Sequence, residues 1–88
     1  MDNYQGTGEV TKQGQHVSTV KYSVQVKPLG GQIEIEKGEK YLSASDRFTL
    51  HMQGGLAIDF RIAQVSDEVD GKYYVTGIGG IRNSSQQK

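Results

Sequence analysis

The sequence predicts an all-β fold: a small antiparallel meander of about six strands forming a barrel or a strongly curled sheet. Three observations predict it. Apolar residues recur at spacing two, no segment carries a long helical stripe, and glycine-containing turns separate the alternating runs. A flat sheet with one apolar face and no helix to cover it would expose that face, so the sheet must roll up or fold into two layers.

The first strand is read over residues 5–12 and begins with Gly6-Thr7-Gly8. Glycine inside a strand permits bends and bulges. A turn at Gln13-Gly14-Gln15 leads into a second strand over 16–27, where Val20, Tyr22, Val24 and Val26 share one face. Lys21, Ser23, Gln25 and Lys27 share the other. A two-residue loop at Leu29-Gly30 then leads to a third strand over 32–37, with Ile33 and Ile35 inward. Facing residues in a hairpin must point to the same side, so Val26 is set opposite Ile33 and Val24 opposite Ile35. Tyr41-Leu42 extends this strand or starts a connector. Ser43 or Ser45 could cap one helical turn before Arg47.

A fourth strand over 47–53 places Phe48, Leu50 and Met52 inward. A three-residue loop, Gln53-Gly54-Gly55, leads to a fifth strand over 56–65. Parity there sets Met52 opposite Leu56, Leu50 opposite Ile58 and Phe48 opposite Phe60. The acidic turn from Ser66 to Gly71 precedes a last strand over 72–81, which contains Gly77-Ile78-Gly79-Gly80. The links are short, so sequence neighbours are expected to pair, and the two glycine-rich end strands are read as closing partners. Residues 1–82 then form one barrel-like domain, and the polar segment 83–88 is expected to be a disordered tail.

Composition bounds the function. Eighty-eight residues, 34% of them hydrophobic and 12 of them glycine, give one modest core. Ten basic and ten acidic residues cancel, which removes any long-range pull on nucleic acid and leaves self-association unopposed. Nucleic acid is therefore disfavoured as a partner. No cysteine is present, so disulfides and thiolate chemistry are excluded. The polar start, Met1-Asp2-Asn3-Tyr4-Gln5, does not read as a signal peptide, and no apolar stretch reaches membrane-spanning length. A cytoplasmic protein without a membrane partner is the expectation.

No motif commits the chain to a chemistry, and no cofactor or metal is expected. The two glycine clusters lack the following helix N-terminus that a phosphate cradle needs. His51, Thr49 and Asp59 fall on one outer face, where a cross-strand polar cluster is the simpler reading than proton transfer. Asp67, Glu68 and Asp70 lack the spacing of a calcium loop. Lys21 and Lys27 are expected to pair diagonally with Glu36 and Glu34, rather than form a free basic patch. Arg47 has no second arginine four residues away, as a cyclic-dinucleotide sensor arm requires.

Tyr73-Tyr74 is the informative pair, because adjacent strand residues face opposite ways and one ring must point out. The expected interface residues are Tyr73, Tyr74, Gly77, Gly79 and Gly80. The favoured function is a non-catalytic binding or assembly module, either a homo-oligomer or a protein binder. The alternative is a small-ligand barrel for an apolar molecule or nucleotide, but inward Tyr22, Phe48, Leu50, Met52, Ile58, Phe60 and Ile62 would largely fill it.

Overall fold

The computed structural model describes residues 3–26, 29–67 and 69–83. Six strands follow in order: β1 (Asn3–Lys12), β2 (Gln15–Val26), β3 (Leu29–Gly38), β4 (Phe48–His51), β5 (Leu56–Asp67) and β6 (Lys72–Asn83). All pairings are antiparallel, and the sheet closes in the order β1-β2-β3-β6-β5-β4. The expected all-β barrel is thus present, as two three-stranded meanders joined edge to edge.

The seams differ from the expectation. The glycine-rich ends do not pair: β1 closes on β4 through Glu9–His51, Val10–Leu50 and Thr11–Thr49, and β6 closes on β3 through residues 30–34 and 72–76. The cause is the stretch between β3 and β4, which is long enough to cross one end of the barrel. The helical turn expected between Ser43 and Arg47 does not form; a single hydrogen-bonded turn takes its place, in which the Asp46 N–H donates to the Ser43 carbonyl and the Ser45 N–H to the Ser43 hydroxyl.

Tyr73 holds this connector. Its ring is fully buried; its hydroxyl donates to the Lys40 carbonyl at 2.5 Å and accepts the Leu42 N–H at 3.0 Å. Leu42 beside it is itself buried.

The β4–β5 register is as expected. Phe48 faces Phe60 and Leu50 faces Ile58, while the Met52 N–H donates to the Leu56 carbonyl. The β2–β3 register is corrected. Val26 faces Leu29, Val24 faces Gly31 and Tyr22 faces Ile33. Both registers preserve inside and outside, so alternation alone does not separate them. Close backbone approach does: a Cβ on Gly31 would run into the Ser23 carbonyl oxygen and lie 2.8 Å from the Val24 Cα. Gly30 and Gly31 are therefore strand residues rather than a turn. Lys27, Pro28 and Glu68 lie outside the described residues. So does residues 84–88 of the expected tail, whereas Asn83 belongs to β6 and faces Leu56.

One continuous core fills the barrel. It includes Tyr22, Ile33, Leu50, Ile58, Phe60 and Tyr73, with the Phe48 and Phe60 rings stacked at 5.6 Å between centroids. Gly6 and Gly8 make room for the Tyr22 ring, whose atoms would come within 3.1 Å of a Cβ on either. The Tyr22 hydroxyl accepts the Gln53 N–H at 3.0 Å.

Candidate functional site

The outer face is organised in rows set by the registers. One row crosses five strands as Gln5, Ser23, Gln32, Tyr74 and Gln64, each opposite the next. The row beside it runs Asn3, Gln25, Gly30, Thr76 and Arg61. The row on its other side runs Thr7, Lys21, Glu34, Lys72 and Asp67, with charges alternating in sign from Lys21 onward. Lys21 also reaches Glu36 at 3.5 Å, the diagonal pair foreseen from sequence.

Between these flanks lies an uncharged strip centred on Tyr74, whose side is 44% exposed. Tyr74, Ser23, Gln25 and Gln32 share a shallow depression of about 350 Å³ with Asn3 and Gly31. Among the described residues, none of the side chains in the Tyr74 row hydrogen-bonds to another residue. The strip therefore presents unengaged donors and acceptors around one aromatic ring.

The expected interface residues separate. Tyr74 points out, while Tyr73 is interior and belongs to the connector's anchor, so it cannot meet a partner. Gly77 is covered by the Leu29 side chain. Gly79 and Gly80 lie in a bulge: β6 has more residues than β5 between the pairs Asp59–Ile78 and Ala57–Arg82. Gly79 has φ +78°, a conformation that glycine adopts at little steric cost. The structure brings Tyr74 and these two glycines onto one strand, but not into one cluster.

Several other polar groups on the surface are engaged with each other. Thr49 Oγ1 donates to Asp59 Oδ1 at 2.8 Å, and Arg82 Nη1 lies 2.9 Å from Asp59 Oδ2. The Arg82 hydrogen bond is the main force holding the Asp59 carboxyl below its ordinary value. Partial burial opposes it, while the Thr49 bond and the charges of Arg82 and Arg47 add to it. His51 turns instead to Thr11, with Nε2 3.1 Å from the hydroxyl. His16 pairs with Glu9. Asp67 spends Oδ1 on the Val69 and Asp70 N–H groups, closing its own turn. Among the described residues, no cluster of three potential metal ligands occurs. No described helix is long and apolar enough to cross a membrane.

Sequence reasoning missed Gln5, Ser23, Gln32 and Gln64 as a group. Their outward alternation was visible, but their alignment depends on the β2–β3 register and on the β3–β6 seam. No protein family, curated protein or solved structure matches the chain.

Proposed function

We propose that this protein is a non-catalytic binding or assembly module that self-associates through its outer surface. The carrying observation is the uncharged strip around Tyr74. Interface centres are depleted in charge and enriched in tyrosine, which offers a large rigid contact area with few torsions to freeze. The strip matches that composition across five strands, and its polar groups are free to bond to a partner. The balanced formal charge adds no repulsion between copies. The balanced composition and the absence of cysteine also suit the cytoplasm, the compartment included in this proposal.

The alternative, a ligand held inside the barrel, has less support because core side chains occupy the interior. Among the described residues, four depressions open on the outside.

Gel filtration with light scattering tests the proposal. Between about 10 μM and about 1 mM, where weak interfaces populate, the mass should rise from monomer toward dimer. Tyr74→Ala should shift that transition to higher concentration. A strict monomer throughout the range would overturn the proposal.

A further inference from the structure

β5 is paired on both edges for only part of its length. β4 covers it from Ala57 to Phe60. Beyond Phe60, the segment Arg61–Asp67 pairs with β6 alone, and its other edge has no ladder partner among the described residues. Beyond the buried Ile62, Ala63, Gln64, Val65 and Ser66 are four consecutive exposed residues, so the strand stands clear of the core on both faces there. Val65 is 43% exposed. An open strand edge is a template for another strand.

The segment's own chemistry indicates which strand fits. Two bulges, between Ile62 and Gln64 and between Val65 and Asp67, set Arg61 opposite Thr76, Gln64 opposite Tyr74 and Asp67 opposite Lys72. All three therefore lie in the outer-face rows. They are also symmetric about Gln64. A two-fold axis at Gln64 places Arg61 of one copy beside Asp67 of the other, and the same pair recurs on the far side of the axis. Ala63 then meets Val65, and Gln64 meets Gln64. The edge is self-complementary in charge and uncharged at its centre, which suits an isologous contact.

We infer that the β5 edge, from Arg61 to Asp67, is the contact through which two copies of this chain pair antiparallel. The inference rests on the self-association proposed above and gives it a location and a register. Gln64 ends the uncharged row next to Tyr74, so pairing here joins the rows of the two copies. It brings both Tyr74 rings to the flanks of the axis.

The register is tested by reversing charges while the oligomer is weighed by sedimentation. Arg61→Asp sets like charges together at both sites and should weaken the dimer by about tenfold or more. Arg61→Asp combined with Asp67→Arg exchanges the charges and should restore it. Asp67→Asn keeps an acceptor for the Val69 and Asp70 N–H groups but removes the charge, and should weaken the dimer less than Arg61→Asp does. Circular dichroism checks that each variant is folded.

A covalent readout is independent of these. The chain has no cysteine, so Gln64→Cys carries a single thiol that meets its own copy across the axis. Mild oxidation should link Gln64→Cys faster than Ser45→Cys, an exposed site beside the Gln13-Gly14 turn. If the wild type is a strict monomer, both the self-association and the edge are wrong. If it dimerises but ignores the charge reversals and Gln64→Cys links no faster than Ser45→Cys, the edge alone is wrong.

Discussion

Removing one oxygen from Tyr73 should cost a large part of this protein's stability. Tyr73→Phe keeps the ring and its packing but deletes the hydroxyl that donates to the Lys40 carbonyl and accepts the Leu42 N–H. The two losses are unequal. Leu42 is only 2% exposed, so its N–H has no water to turn to, and an unsatisfied buried donor costs about 1–3 kcal/mol. Lys40 is exposed, so water can replace the hydroxyl at its carbonyl, and the net loss there is about 0.5–1.5 kcal/mol. Together the variant should lose about 1.5–4.5 kcal/mol. For a domain of this size that lowers Tm by roughly 10–25 °C. Urea unfolding read by circular dichroism measures it, with Tyr74→Phe as a control expected to stay within about 0.5 kcal/mol of wild type. Amide hydrogen exchange at Leu42 reports the same bond locally and should accelerate. If Tyr73→Phe lay within about 0.5 kcal/mol of wild type, with the Leu42 amide equally protected, the hydroxyl would not be what secures the connector.

Two further outcomes follow from backbone geometry and charge. Alanine at three glycines should give a graded series in urea unfolding. Gly31→Ala drives a Cβ into β2 backbone and should cost more than about 2 kcal/mol, and Gly79→Ala, in open space but at φ +78°, should cost about 1 kcal/mol. Gly80→Ala, in open space without that conformation, should be within about 0.5 kcal/mol of wild type; equal costs at all three would refute the assignment. Asp59 has a carboxyl pKa lowered in the fold, so the unfolded chain binds a proton more readily. Its contribution is present above the ordinary value of 3.8 and fades as pH falls through the lowered one. Partial exposure keeps it under about 1 kcal/mol, and Asp59→Asn should flatten the acid limb of the stability curve by that amount. An unchanged limb would show that the Arg82 bond does not persist in solution.

The fold class was legible because alternation is a local property. Each strand declares its own inner and outer faces, and a short loop such as Gln53-Gly54-Gly55 leaves one register for Phe48, Leu50 and Met52. The β2–β3 hairpin was not legible to the same degree. Leu29 and Ile33 have the same parity, and the choice between them as the partner of Val26 turns on how closely β2 approaches Gly31. That distance is a tertiary quantity. The seams were hidden for a related reason: pairing of β3 with β6 depends on a connector that crosses the barrel end and is secured by Tyr73, far along the chain. The candidate surface divides in the same way. Alternation predicted that one of Tyr73 and Tyr74 would point outward. It could not show that Gln5, Ser23, Gln32 and Gln64 line up with Tyr74, because that row exists only once the seams are made.

The joining of two meanders also shapes how the chain can assemble. Within β1-β2-β3, and again within β4-β5-β6, every partner is the next strand along, and such contacts close small loops at low entropic cost. The β1–β4 and β3–β6 seams join residues that are distant in sequence, so each requires a larger loop to close. Once one seam has formed, the two halves are already side by side, and the second closes over a much shorter effective distance. The connector therefore acts as a tether, turning what would be the encounter of two separate sheets into an event within one molecule.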